Sequence, residues 1–267
     1  METILITVIT VTVMGLFCAC VLCVASKLMH VKVDERIAEL EKNLPGVNCG
    51  VCGYPGCSGY AKALLSSENV KPNLCTPGGA DVLVKISAIL GVEAASIEKK
   101  TAIVNCAGDC KAQVRKMDYR GISSCDGAKK IYNGKNSCAF GCLGYGDCQK
   151  VCPADAICLE NDLAYVIPSL CTGCGLCVKV CPPKIISIEN ASIGVFVACK
   201  NIEKGAVTRK KCSSGCIACT KCVKECPKNV IKIIDNLAVI DYSLCDNCGK
   251  CADVCVTKCI HHFPAVS

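Results

Sequence analysis

Three runs of cysteines in this chain repeat one spacing. Cys171, Cys174, Cys177 and Cys181, followed by Pro182, form C-x2-C-x2-C-x3-C-P, and Cys216, Cys219, Cys222 and Cys226, followed by Pro227, form the same run. Cys245, Cys248, Cys251 and Cys255 keep the spacing, with Val256 in place of the proline. Three thiolates two residues apart can wrap one face of an iron–sulfur cubane while the fourth diverges, and in two-cluster ferredoxins that fourth cysteine ligates the other cluster. Zinc ribbons use paired C-x2-C groups rather than triplets with a displaced fourth ligand. The chemistry that this spacing points to is one-electron transfer through 4Fe–4S clusters.

Cross-ligation gives two clusters in the last part of the chain: one on Cys216, Cys219, Cys222 and Cys255, the other on Cys245, Cys248, Cys251 and Cys226. An earlier group reads Cys138-x3-Cys142-x5-Cys148-x3-Cys152-Pro153, with Tyr145 where the later copy has Cys219. Cys138 is the natural replacement for that missing ligand. The spacing therefore predicts one cluster on Cys138, Cys142, Cys148 and Cys181 and another on Cys171, Cys174, Cys177 and Cys152. A fifth is expected upstream on Cys49, Cys52, Cys57 and Cys75, where Gly50, Gly53 and Gly56 let the backbone curl around an inorganic core. Five 4Fe–4S clusters are thus expected. Of the remaining cysteines, Cys18, Cys20 and Cys23 lie in an apolar run, and Cys158 and Cys259 read as packing residues. Cys106, Cys110, Cys125, Cys199 and Cys212 are numerous enough for a sixth cluster but form no clean motif. His261-His262 reads as a solvated tail rather than a metal pair.

The elements that must position these ligands show a duplication. Cys138, Cys142, Cys148, Cys152, Cys171, Cys174, Cys177 and Cys181 recur 74 positions later as Cys212, Cys216, Cys222, Cys226, Cys245, Cys248, Cys251 and Cys255. Between the cysteine groups, AICLENDLAYVIPSLC matches VIKIIDNLAVIDYSLC, each a short strand, an Asn/Asp turn and a second strand. The segments after Cys57 and Asp81 read as short helices, and residues 31–44 as an amphipathic helix ended by Pro45-Gly46. The fold class expected is α+β: a single N-terminal transmembrane helix (1–27), a small helical 4Fe–4S domain (28–95), a basic linker or insert (96–135), and two tandem ferredoxin-like two-cluster modules (136–190 and 191–267).

Composition agrees with this reading. The chain has 30 cysteines in 267 residues, no Trp and only 4% aromatic residues, so metal clusters rather than a large aromatic core must hold its domains. A disulfide scaffold is disfavoured, because disulfides between near neighbours close little chain. The formal charge of +7 does not argue for nucleic acid. Each oxidised cluster with four thiolates adds about −2, so five would bring the total to about −3. Neither a dinucleotide fingerprint nor a P-loop is present, and no substrate-binding active site is expected.

From Thr3 to Ser26 no residue is charged, and a helix of that length, about 36 Å, crosses a bilayer. Met1-Glu2 supplies no positive n-region for a cleaved signal peptide. Lys27, His30, Lys32 and Arg36 follow the run while Glu2 alone precedes it, which puts the cluster domains on the cytoplasmic side of a single-pass anchor in the cytoplasmic (inner) membrane. That is also the reducing compartment in which free thiols persist.

An N-terminal apolar helix, then CGVCGYPGC…C, then two ferredoxin-like modules, closely resembles RnfB, the B-subunit family of the Rnf ion-translocating electron transport complexes. The resemblance covers nearly the whole chain. CAFGCLGYGDCQKVCP resembles the first group of the family's anaerobic members. The resemblance implies a subunit of an oxidoreductase (a translocase) that couples electron flow between reduced ferredoxin and NAD to Na⁺ or H⁺ movement. Its partners would be soluble ferredoxin and the other membrane and peripheral Rnf subunits, which would carry flavin, nicotinamide and the ion path. The basic stretches Lys99–Lys135 and Lys200–Lys211 are candidates for docking an acidic ferredoxin, with plain solubility as the competing use. The runner-up function is an electron-donor subunit of another membrane redox complex, such as one that reduces a redox-sensing regulator.

Overall fold

The computed structural model describes residues 2–28, 34–67, 70–93 and 99–263. Contacts divide the chain into two compact units, 1–39 and 40–267. In the first, helix α1 (Glu2–Leu28) contains Ile4–Ala25, a stretch of mean hydropathy 2.6 that is long and apolar enough to cross a membrane. Its large apolar side chains, from Ile4 to Val24, are exposed around the helix. Thr10 and Thr12 donate their hydroxyls back to the carbonyls of Ile6 and Val8, so these two polar groups are satisfied without water. His30 and Lys32 of the basic flank, and residues 31–33 of the expected amphipathic helix, lie outside the described residues. That helix is otherwise present as α2 (Glu35–Asn43).

The second unit opens with a helical lobe. Helices α3 (Gly56–Ser66) and α4 (Gly79–Leu90) follow Cys49–Cys57 and Cys75, as the sequence suggested. Leu40, Tyr60, Ala61, Leu64, Leu83 and Ile86 are buried. Tyr60 donates its hydroxyl to the Lys71 carbonyl at 2.8 Å, which satisfies the polar end of the largest side chain in the lobe.

The duplication extends from the cysteines to the backbone. The first copy contains β1 (Lys100–Val104), α5 (Cys125–Lys130), α6 (Asp147–Lys150), β2 (Ile157–Glu160), β3 (Leu163–Val166), α7 (Leu176–Val180) and β4 (Ile186–Asn190). The second contains β5 (Val195–Val197), α8 (Gly205–Lys211), α9 (Lys221–Glu225), β6 (Ile231–Ile234), β7 (Leu237–Ile240), α10 (Lys250–Asp253) and β8 (Ile260–His262). The starts of α6, β2, β3, α7 and β4 each recur 74 residues later. In both copies the hairpin (β2–β3, β6–β7) turns on two residues at positive φ, Asn161-Asp162 and Asp235-Asn236, as a two-residue hairpin turn requires. Ala218 and Thr220 sit at φ +54 and +62 where the first copy has Gly144 and Gly146 at φ +76. The chain there holds a loop conformation that its residue types disfavour.

Each copy also has an outer two-stranded sheet. β1 pairs antiparallel with β4, placing Val104 opposite Ile186, and β5 pairs with β8, placing Val197 opposite Ile260. Two segments differ here from their expected roles. The stretch expected to be a basic linker or insert begins with strand β1, because Ala102 and Val104 join the core of the first copy and Ile103 is also buried. His261 and His262, expected in a tail, lie on β8, where the His262 ring nitrogen stands 3.1 Å from an Asp253 carboxylate oxygen. The two copies have equivalent cores, both built partly from cysteine: Cys142, Cys148 and Cys177 pack with Ile157, Ala164 and Ile186, and Cys216, Cys222 and Cys251 with Ile231, Ala238 and Ile260.

Candidate iron–sulfur centres

The upstream ligands converge as the spacing implied. Cys49, Cys52, Cys57 and Cys75 line one cavity together with Leu44, Tyr60 and Pro77. Asn48 holds the loop by accepting the Cys57 N–H at 2.8 Å, and Gly56, at φ +83, leaves room for that amide, since a Cβ there would lie 2.7 Å from the Asn48 oxygen. Burial pushes the Cys75 thiol up to about 11, with the charges of Cys57, Cys49 and Cys52 adding to it. Sulfurs that destabilise one another's thiolates in this way need a cation between them.

In the second copy Cys216, Cys219, Cys222 and Cys255 form one neighbourhood. Burial first, then the charges of Cys216, Cys219 and Cys255, lift Cys222 to about 11. Cys251 is lifted to about 11 by burial and by Cys245, Cys222 and Cys248, so this second neighbourhood adjoins the first. In the first copy, burial and the charges of Cys171, Cys174 and Cys152 raise Cys177 to about 12. Cys226, the counterpart of Cys152, packs against the same core as Cys251.

The remaining group of the first copy differs from the expected one. Cys148 is raised to about 12 by burial and by the charges of Cys142, Cys125, Cys181 and Cys177, and Cys181 likewise feels Cys142 and Cys125. Cys125 begins α5, and its N–H and that of Asp126 are accepted by one Asp147 carboxylate oxygen at 2.8 and 3.2 Å. Asp147 adjoins Cys148, so this carboxylate draws Cys125 to Cys142, Cys148 and Cys181. Cys138 faces elsewhere: with Cys106, Cys199 and Cys212 it lines a second cavity. The structure thus brings Cys125, rather than the expected Cys138, beside Cys142, Cys148 and Cys181. The Tyr145 ring instead stacks at 5.7 Å from Tyr119 and lies 5.2 Å from the Lys135 ammonium.

Backbone amides point at several of these sulfurs. Ala102 N–H donates to Cys171 Sγ at 3.4 Å, Ala156 to Cys152 at 3.4 Å and Cys259 to Cys255 at 3.3 Å. Such bonds favour the thiolate and tune a bound cluster. Cys259 contributes a second donor. Its sulfur lies 3.6 Å from Cys255 Sγ, and its thiol holds Cys255 down at about 5 and Cys216 at about 6 while its own proton is held firmly. The first copy has Ile185 in the Cys259 position, so packing explains the site but not the thiol. The fit of the donor set is therefore good: grouped sulfurs, amides aimed at them, and cavities between them.

Comparisons with known proteins agree with this chemistry. Residues 44–77 match the FeS family of Fe-S cluster segments, 138–192 the LdpA Fe-S cluster-binding domain, and 170–230 the 4Fe-4S dicluster domain. The B-subunit of the proton-translocating ferredoxin:NAD(+) oxidoreductase complex of Clostridium ljungdahlii is 40% identical, covering 97% of this chain and 91% of that protein. The chain belongs to the Rnf complex B-subunit family. The Na(+)-translocating counterpart of Acetobacterium woodii is 39% identical over 93% of this chain and 74% of that protein. The B-subunit of the ion-translocating oxidoreductase complex of Methanosarcina acetivorans is 35% identical over 92% and 94%. As an Rnf B-subunit the chain is an iron–sulfur electron-transfer component of an oxidoreductase complex, with an N-terminal helix suited to a membrane.

The Cys259 contact has a measurable consequence. Replacing Cys259 with Ala removes one S–H donor from the Cys216/Cys219/Cys222/Cys255 centre, and a lost hydrogen bond of about 1 kcal/mol corresponds to roughly tens of millivolts in a one-electron couple. An EPR-monitored redox titration should show that one centre moving to lower potential while the others hold. An unmoved set of potentials would show that Cys259 only packs.

Proposed function

We propose that this chain is a membrane-anchored wire that carries electrons from a soluble ferredoxin towards partner subunits that reduce NAD, a transfer coupled in the whole complex to movement of Na⁺ or H⁺. The observation that carries this reading is the order in which the cysteine groups adjoin. Lys179 donates to the Cys49 carbonyl at 3.2 Å, and Thr76 and Pro77 share a cleft with Leu170, Cys171 and Thr172, so the Cys49/Cys52/Cys57/Cys75 centre adjoins the Cys152/Cys171/Cys174/Cys177 centre. That centre adjoins Cys125/Cys142/Cys148/Cys181 through Cys177 and Cys148. In the second copy Cys216/Cys219/Cys222/Cys255 adjoins Cys226/Cys245/Cys248/Cys251 through Cys222 and Cys251. Two ferredoxin-like modules, each with a cross-ligated pair of 4Fe–4S clusters, account for this pattern.

When bound, each cluster supplies a reversible one-electron couple, and the protein's part is to bury it, space it and set its potential. The thiols of Cys75, Cys148, Cys177, Cys222 and Cys251 sit in apolar surroundings that disfavour bare thiolate charge, while the amides of Ala102, Ala156 and Cys259 favour it at Cys171, Cys152 and Cys255. The anchor keeps the relay at the membrane surface, and the basic flank Lys27 to Arg36 favours the cytoplasmic side, where reduced ferredoxin is available.

The two basic stretches meet in the fold. Val114 N–H donates to the Lys211 carbonyl at 2.9 Å and Ser213 N–H to the Ala112 carbonyl at 3.0 Å, which joins the stretch with exposed Lys111 and Arg115 (the latter ion-paired with Asp162) to the end of the stretch with exposed Arg209 and Lys210 and makes one basic face of the two. This face suits an acidic ferredoxin, brought in by electrostatic steering.

The test of the wire is metal content in the anaerobically purified full chain. At least about 20 irons per chain, matched by acid-labile sulfide, are expected for five four-iron clusters. Zinc with almost no sulfide would overturn the reading. For docking, the triple change K111E/R209E/K210E should slow reduction by ferredoxin about tenfold at low salt and flatten its salt dependence. An unchanged rate and slope would place the docking site elsewhere.

A further inference from the structure

The wire as described stops in the middle. Each copy holds its own pair of centres, and what lies between the copies is the cavity lined by Cys106, Cys138, Cys199 and Cys212. These four sulfurs come two from each copy. Cys138 and Cys212 are equivalent by the 74-residue repeat. Cys106 stands two residues beyond Val104, which faces Ile186, and Cys199 stands two residues beyond Val197, which faces Ile260, the counterpart of Ile186. Ala107 N–H donates to the Ala198 carbonyl at 2.9 Å and Asn105 Nδ2 to the Val197 carbonyl at 3.1 Å, tying the two strand ends together. The cavity thus lies where the two copies face each other, with one equivalent pair of cysteines on each side.

It also has the properties of the upstream centre. Like the cavity of Cys49, Cys52, Cys57 and Cys75, it is lined by four cysteines. Cys138, Cys199 and Cys212 are buried, as are Gln113 and Asn201 beside them. Asn201 donates its backbone N–H to Cys199 Sγ at 3.5 Å and its side-chain amide to Cys138 Sγ at 3.7 Å. Gln113 lines the cavity with its amide oxygen buried and without a partner. A Cβ at Gly108 would stand 3.0 Å from Cys212 Sγ, so the wall is kept thin beside that sulfur.

Two further contacts join this cavity to the centres already described. Cys142 N–H donates to Cys106 Sγ at 3.4 Å, and Cys216 N–H donates to Cys199 Sγ at 3.3 Å. Cys142 and Cys216 are themselves equivalent, and each places its own sulfur in the inner centre of its copy. One residue therefore connects the cavity to each side.

We infer that Cys106, Cys138, Cys199 and Cys212 hold a sixth four-iron cluster, and that this cluster is the relay between the two copies. The inference rests on the reading that each copy carries its own pair of clusters. In each hop one electron leaves a reduced cluster and reduces the next by one electron, with no proton transferred and no bond made or broken. The electron enters from reduced ferredoxin and leaves to the next redox subunit. The short through-bond links run from Cys142 N–H to Cys106 Sγ and from Cys199 Sγ to Cys216 N–H.

Iron and acid-labile sulfide counted on the anaerobic full chain test the site, with C138A/C212A as the site variant and Cys110→Ser as the control. About 24 irons are expected in the unaltered chain and about 20 in C138A/C212A, with sulfide following, because each cubane holds four of each. A count of about 20 in both overturns the sixth cluster and leaves the five-cluster reading standing. A count far below 20 in the unaltered chain overturns both. The unaltered count needs no variant, so it decides the site even if C138A/C212A fails to fold. For the relay, electron redistribution between the copies after pulsed reduction, followed by freeze-quench EPR, should slow at least tenfold in C138A/C212A. Loss of four irons with an unchanged redistribution rate would overturn the relay.

Discussion

Buried sulfur without metal is the constraint on which the rest of this structure depends. Cysteines occupy central places in both cores, where Cys142, Cys148, Cys177, Cys216, Cys222 and Cys251 are almost fully buried beside isoleucines and alanines. Strands of three to five residues and helices of four to seven cannot bury enough apolar surface to hold such copies together. Each sulfur group therefore places its thiols where burial and mutual repulsion oppose ionisation, and iron relieves both. Stability and electron transfer follow from the same bonds: a cluster that staples two distant segments is also a redox centre held at fixed distance from its neighbour.

Duplication turns that local device into a path. In the proposed ligand sets, Cys152 and Cys181 tie the two centres of one copy to each other, and Cys226 and Cys255 do the same in the other. The proposed sets exchange no ligand between copies. The ends of β1 and β5 and the equivalent pair Cys138 and Cys212 instead meet at the junction of the copies. Cys125 relates to this arrangement. With Cys138 at the junction, and Tyr145 standing where the second copy has Cys219, α5, held by Asp147, brings Cys125 beside Cys142, Cys148 and Cys181.

Much of this was legible in the sequence. The C-x2-C-x2-C-x3-C runs, the Asn/Asp hairpin turns and the apolar N-terminal run are local patterns, each fixed by chemistry that acts within a few residues. What was not legible depends on the meeting of distant segments. Cys125 lies 17 residues before Cys142 in a stretch without motif, and tertiary contacts such as the one to the Asp147 carboxylate bring it in. Cys106 and Cys199 follow strands whose partners lie about 80 and 60 residues on, so no spacing marks them as a pair. The repeat itself carries one signal of this placement. Cys138 matches Cys212, and neither ligand set proposed for the second copy uses Cys212.

The central claim, that these sulfurs hold metal for electron transfer rather than for structure alone, is tested most directly by spectroelectrochemical titration of the anaerobic full chain. The account expects visible absorption to bleach reversibly with uptake of about six electrons per chain, one for each four-iron cluster. A metal-loaded chain that takes up no electrons, with its absorption unchanged across the range of low-potential reductants, would contradict it.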